Sequence, residues 1–162
     1  MSWFEDIVIG ARRELGSFVF TEAEIIRFAT KYDPQYFHID PAAARDSPYG
    51  GLIASGWHTS AVWMKLMVAS WRAQPVPADP AARSAGSGPS PGFLDLKWPH
   101  PVRAGDSIAY SSTTIEKLDL KSRPKWGLIR SRNEGVNERG ELVLSFIGQG
   151  LIERRDPYNP TA

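Results

Sequence analysis

A chain of 162 residues is long enough to bury one sizeable core and short for two, so residues 1–162 read as a single domain. Its 19 basic and 18 acidic side chains nearly cancel, which excludes a net field that would draw the whole protein to nucleic acid or to an anionic membrane. The lack of cysteine excludes disulfides, thiolate nucleophiles and thiolate-ligated metals.

The opening segment MSWFEDIVIGARREL has acids at Glu5 and Asp6 and no basic start followed by a long apolar run. It does not read as a secretory signal, and the cytoplasm is the default compartment. The first predicted element is the β-prone run SFVF, residues 17–20. Thr21 and Glu24 then stand at capping-box spacing, so a helix should start there, with Ile25, Phe28 and Ala29 on one face and Ile26 and Tyr32 beside them. Pro34 disfavours helical geometry at Asp33, which ends the helix and leaves the Asp33 side chain at its terminus. Asp40-Pro41 opens a second, short helix, with Asp40 as its cap and Pro41 in the first helical position.

Residues 47–64 carry no Asp, Glu, Lys or Arg, the length of a membrane span. Pro48, Gly50, Gly51, Ser55, Gly56, His58, Thr59 and Ser60 lie within them, which favours a buried helix of a globular domain. Leu52, Ile53, Val62, Trp63, Leu66, Met67, Val68 and Trp71 make this segment apolar almost all round, as expected of a central helix enclosed by the fold. Residues 73–92, dominated by Pro, Ala, Gly and Ser, predict a long mobile loop. The runs FLDLKW, SIAYSSTTIEKL, KWGLIRSRNEGV and ELVLSFIGQGLIE follow as strands, with turns at residues 103–106 and 137–140 and a flexible tail over 156–162. One long helix followed by consecutive strands gives an α+β domain in which an antiparallel sheet wraps the helix.

The stretch YDPQYFHID holds the strongest candidate chemistry, an acid at Asp33 and a histidine five positions on at His38. By itself that spacing is more often a turn and a surface histidine. The order of three separated segments changes the weighing: FTEAEIIRFATKYDPQYFHIDPAAA, GGLIASGWHTSA and LKWPHPVRAGDSI together resemble the MaoC-like hydratase and dehydratase family, which includes the (R)-specific enoyl-CoA hydratases. The resemblance runs from about Phe20 to Ile108 and more loosely through the last strands.

That resemblance implies the hot-dog fold and a homodimer or equivalent pairing, with an acyl thioester held in a tunnel at the subunit interface. It implies reversible hydration of a 2-enoyl thioester, on coenzyme A or an acyl carrier protein. Carried over by position, Asp33 would activate water and His38 would orient it and relay the proton. Gly56 matches a glycine at the start of the central helix, where backbone N–H groups would receive the charge on the thioester oxygen. Ser55, Trp57 and Ser60 are the further substrate-binding candidates. No cofactor is implied, because the thioester is itself the electron sink. No metal is expected either: His38-Ile39-Asp40 lacks a third ligand, and Asp40 serves as a cap.

Two departures from the commonest family wording are visible. Asp-x-Asn-Pro-x-His becomes DPQYFH, with proline beside the aspartate and Gln35 in place of asparagine. The histidine before the glycine becomes Ser55, and a serine used by several hydratases falls at Met64, so support for Asp33 is expected from Thr59 or Ser60. His58, on a mostly apolar helix, reads first as a core residue, and His100, between two prolines, as structural. Trp63 and Trp71 read as core, whereas Trp57 beside the glycine is the better substrate contact. Arg103, Lys121, Arg123, Lys125, Arg130 and Arg132 suit either coenzyme A phosphates or a solvated surface. Two alternatives share the thioester pocket: a hot-dog thioesterase, and a non-catalytic acyl-thioester-binding partner subunit.

Overall fold

The computed structural model describes residues 2–74 and 84–159. Strand β1 (Arg12–Val19) leads into helix α1 (Glu22–Tyr32), two short helices α2 (Tyr36–Ile39) and α3 (Pro41–Ala44), and the long helix α4 (Gly56–Arg72). Strands β2 (Phe93–Lys97), β3 (Ser107–Asp119), β4 (Trp126–Val136) and β5 (Leu142–Glu153) complete the chain. The five strands form one antiparallel sheet in the order β1-β3-β4-β5-β2, packed against α4 in the hot-dog arrangement.

The four predicted strand runs after α4 are all present, and β1 starts five residues before the predicted SFVF. Its earlier residues, Arg12-Arg13-Glu14-Leu15-Gly16, are mostly charged, and pairing with β3 extends the strand where composition carries little β signal. The helix starts follow the local chemistry. Thr21 Oγ1 accepts from the Glu24 N–H at 3.3 Å, and Asp40 Oδ1 accepts from Ala42 and Ala43 N–H at 2.9 and 3.1 Å. The return arm of the capping box differs: the Glu24 carboxylate accepts from the Thr21 hydroxyl at 3.1 Å. Sequence reading missed α2, whose single turn has no side-chain cap.

Phe20, Ile25, Ile108, Tyr110, Val143 and Leu144 are fully enclosed between the sheet and the helices. Burying each such side chain contributes about 1.5–3 kcal/mol. The Tyr110 hydroxyl donates to the Thr59 carbonyl at 3.2 Å and ties the sheet to the first turn of α4. His58 is core, as its setting suggested: it stacks on Phe28 with ring centroids 4.4 Å apart, and burial drives its pKa down to about 4.

Two expectations are corrected. Helix α4 is not enclosed on all sides: His58, Thr59, Val62, Trp63 and Met67 are buried, but Trp57 and Met64 stay 52% and 47% exposed. Trp71, read as core, lies on the same open side. A single sheet covers only one face of a helix, so apolar residues beyond that face stay exposed. Where it is described, the loop over 73–92 is hydrogen-bonded to the last strand. Gly86 N–H donates to Glu153, Gly88 N–H donates to the Leu151 carbonyl, and the Ser90 hydroxyl donates to the Gln149 carbonyl, which fastens residues 86–90 along β5; residues 75–83 of that loop lie outside the described residues. In the tail, the Tyr158 N–H donates to the Pro124 carbonyl at 2.7 Å; residues 160–162 lie outside the described residues.

Candidate active site

Pro34 breaks α1 at Asp33, and the turn of α2 carries the chain back. Asp33 caps α1 through its own N–H to the Ala29 carbonyl, in a non-helical conformation with φ −154° and ψ 69°. The His38 N–H then closes on the Gln35 carbonyl at 2.8 Å. The result brings Asp33 Oδ2 and His38 Nε2 to 3.4 Å. The shifted proline thus leaves the acid and the histidine adjacent.

Both side chains have fixed neighbours. His38 Nδ1 lies 2.8 Å from the Ile53 carbonyl, which accepts only if Nδ1 carries the proton. In the neutral imidazole this leaves the Nε2 lone pair facing the carboxylate. Gln35 Nε2 donates to Asp33 Oδ1 at 2.8 Å, so the residue in place of asparagine orients the acid. The Ser55 hydroxyl lies near enough to Asp33 to help lower its pKa, while its oxygen accepts from the Trp57 N–H at 3.1 Å. Burial alone would raise the Asp33 pKa, but Ser55, Gln35 and the nearby imidazole outweigh it and hold the carboxyl below its ordinary value.

Support for Asp33 therefore comes from Ser55, not from Thr59 or Ser60. Both of those hydroxyls instead donate to the Gly56 carbonyl, at 2.7 and 3.0 Å. A residue at the helix cap lies on the side from which Asp33 approaches; residues one turn in satisfy their own helix. Ser55→Ala is expected to raise the Asp33 pKa, since the first contact opposing burial is lost. The acid limb of kcat/KM then moves to higher pH, and a profile superimposable on wild type would refute this role. The sign for stability is the same: an acid with a depressed folded pKa stabilises above its unfolded value and loses that stabilisation as pH falls through the folded one.

Asp33 and His38 line a cavity of about 420 Å³ with Gln35, Tyr49, Gly56, Trp57 and Trp98 among its walls. Gly56 opens α4, and its N–H belongs to the first turn, where amides have no intrahelical partner. The glycine also has a packing reason. A Cβ at Gly56 would lie 2.5 Å from the Trp98 ring, which packs edge-on against Trp57 at 5.2 Å and donates weakly to Ser60 Oγ at 3.4 Å. Trp98 over Gly56 was not legible in sequence.

A second, larger cavity of about 730 Å³ lies between α4 and the sheet. Trp57 lines both, and Ser60, Trp63, Met64 and Trp71 line the larger one. The six cations are not gathered at the dyad. Arg130 pairs with Glu116 at 2.8 Å, whereas Arg103 donates to the Tyr49 carbonyl and bridges to Ile53. His100 Nδ1 lies 3.0 Å from the Leu142 carbonyl, a structural contact. Among the described residues no three His, Asp or Glu side chains group as metal ligands, and no helix is long and apolar enough to cross a membrane.

The profile of the family described as "MaoC like domain" matches residues 8–127. The chain superposes on the MaoC-like dehydratase from Rhodospirillum rubrum with a TM-score of 0.80 and 34% identity, over 96% of this chain and 99% of that one. The (R)-hydratase from A. caviae involved in PHA biosynthesis shares the fold, with a TM-score of 0.64 and 20% identity over 93% of this chain and 98% of that one. Mesaconyl-CoA hydratase from Cereibacter sphaeroides is 33% identical over 69 residues, which are 43% of this chain and 20% of that protein. The matched segment thus spans about a fifth of that curated relative's length.

Proposed function

This chain belongs to the MaoC-like domain family, and from that premise we propose that it adds water reversibly to a 2-enoyl thioester, with Asp33 and His38 as the acid–base pair. The observation that carries the reading is the 3.4 Å approach of Asp33 Oδ2 to a His38 Nε2 whose tautomer is set by the Ile53 carbonyl. An ionised carboxylate and an imidazole lone pair are both acceptors. A water between them donates one hydrogen to each and points its own lone pair away, toward C3 of the enoyl group.

As the new C–O bond forms, the C2=C3 electron pair moves toward the thioester carbonyl and leaves an enolate. One proton of the water passes to the pair and is returned to C2, so the sum is addition of H and OH. Gly56 opens α4 at its positive end and lines the same cavity, which supports its N–H as the donor to the developing charge on the thioester oxygen. Positioned acid–base groups of this kind contribute about 10²–10⁴-fold to a rate. No cofactor takes part, and coenzyme A or an acyl carrier serves as the thioester handle.

Two copies are proposed to pair along the open side of the fold. Strand β2 lies at the sheet edge with Phe93 and Leu94 exposed, beside the exposed Trp57 and Met64 of α4. A monomer by sedimentation at micromolar concentration would remove this part of the reading.

The reaction is tested by following enoyl absorbance and free thiol together on short and long 2-enoyl thioesters. Loss of enoyl absorbance without thiol release is expected. Thiol release with the double bond intact would identify a thioesterase, and tight binding with neither change would identify a binding subunit.

A further inference from the structure

The larger cavity runs the length of α4. Trp57, Ser60, Met64, Met67 and Trp71 recur along it at helical spacing, so one face of the helix forms a wall from the dyad end to the last turn. The facing sheet offers the small residues Ser112, Ser131, Gly148 and Gly150, which leave room for a chain to lie between. Toward the last turn of α4 stands Arg13, on β1 opposite Ser112 and in the wall of the same cavity.

Arg13 is exposed, and the groups that hold it are neutral. Its Nη1 donates to Ser70 Oγ at 3.3 Å, and Gln74, with its amide oxygen turned to the guanidinium, accepts from Nη1 and Nη2 at 3.3 and 3.1 Å. No carboxylate among the described residues pairs with it. Its neighbour Arg12 differs, pairing with Glu14 at 2.7 Å and reaching Glu134 at 3.6 Å. The carboxylate in the cavity wall, Asp6, is taken by Arg155 at 2.7 Å. The C-terminal end of α4 favours a cation nearby but supplies only a partial charge. The cavity thus ends on a positioned guanidinium whose charge the described residues do not match, and its fork of donors suits a carboxylate.

Resting on the thioester reading above, we propose that the acyl group bound here ends in a carboxylate, which Arg13 receives at the end of the cavity far from the dyad. Trp57, which lines both cavities, marks the dyad end. From Trp57 to Ser70 the helix advances about 20 Å, at about 1.5 Å per residue. An extended alkyl chain gains about 1.3 Å per carbon, so an acyl chain of about 12–16 carbons reaches from the thioester to Arg13. A cavity of about 730 Å³ has the volume for such a chain. A methyl-ended chain of the same length would fill the same walls and leave the guanidinium to water.

The test compares 2-enoyl-CoA substrates of equal length ending in a methyl or a carboxylate, over a series of lengths that brackets this span. Wild-type protein is expected to favour the carboxylate-ended member in kcat/KM by about 10–100-fold at one length, with the preference shrinking as salt is raised. Arg13→Gln removes the charge and keeps a donor toward Ser70, and should bring the two kcat/KM values together. Arg13→Lys keeps the charge without the fork and should retain part of the preference.

Equal or better use of the methyl-ended chain at every length would overturn the inference and leave the hydration reading standing, as would a preference that survives Arg13→Gln. A loss in Arg13→Gln that follows the handle, coenzyme A against pantetheine, and not the end of the chain would assign the cation to the coenzyme's phosphates and likewise overturn it. If no enoyl thioester is turned over, hydration fails, and the cavity is tested separately with saturated acyl-pantetheines read by the fluorescence of Trp57 and Trp71 in its wall. Tighter binding of the carboxylate-ended one, lost in Arg13→Gln, supports the assignment. Equal or weaker binding, or tighter binding unchanged by that substitution, ends it.

Discussion

Replacing Asp33 by asparagine is expected to lower kcat/KM for hydration by about 10²–10⁴-fold with the fold intact. The substitution keeps the shape and removes the base. An amide oxygen can still accept from Gln35 Nε2, so a contact that positions the side chain survives. What disappears is the negative charge that takes a proton from water. Because the folded Asp33 pKa is depressed, the fold favours the charged form on balance, and neutralising it should lower Tm slightly at neutral pH. Circular dichroism would check the fold and enoyl absorbance the rate. A loss smaller than tenfold would mean that another group takes the proton. The wild-type acid limb should lie below the ordinary carboxylate range, since Asp33 must be ionised to act and its pKa is depressed.

Gly56→Ala is expected to damage stability and turnover together. The backbone at Gly56 does not have a positive φ, so alanine meets no conformational barrier there. The conflict is steric: the new methyl would sit 2.5 Å from Trp98 Cδ2 and Cε2. The indole cannot simply swing aside, because it packs on Trp57 and reaches Ser60. Overpacking of this kind costs about 1–3 kcal/mol, or about 2–12 °C in Tm for a domain of this size. Trp98 and Gly56 both wall the dyad cavity, so a displaced ring also narrows the thioester's approach to the Gly56 N–H. Thermal unfolding and kcat/KM would be measured on Gly56→Ala and on the double variant with Trp98→Leu. Recovery of Tm in the double variant, beyond the sum of the single effects, is the mark of this contact. Strictly additive losses would show that Trp98 is not the obstacle.

Much of the site was legible because its residues are close in the chain. Asp33 and His38 are joined by four residues, and local rules governing Pro34 and the Asp40 cap were enough to release one acid and commit the other. Ser55 was visible as a departure from the family wording, but its approach to Asp33 was not. The helix cap and the end of α1 meet only when α1 and α4 pack. The same limit applies to Trp98 over Gly56, 42 positions apart, since van der Waals exclusion leaves no periodic trace in either segment.

Hydrophobic pattern determined the order of helices and strands, the α+β class and the identity of α4 as the central helix, because those depend on period and capping over a few residues. Which face of α4 is covered was a tertiary decision. Apolar positions record that a surface avoids water but not whether a sheet, a second copy or a ligand covers it, which is why Trp71 read as core and stands open. Asn133 and Trp63 are the sharpest case: Asn133 Oδ1 and Trp63 Nε1 are buried and have no hydrogen-bond partner among the described residues. In the sequence they are an ordinary strand asparagine and an ordinary helix tryptophan, and only the packing that withdraws them from water gives their lack of partners any energetic meaning.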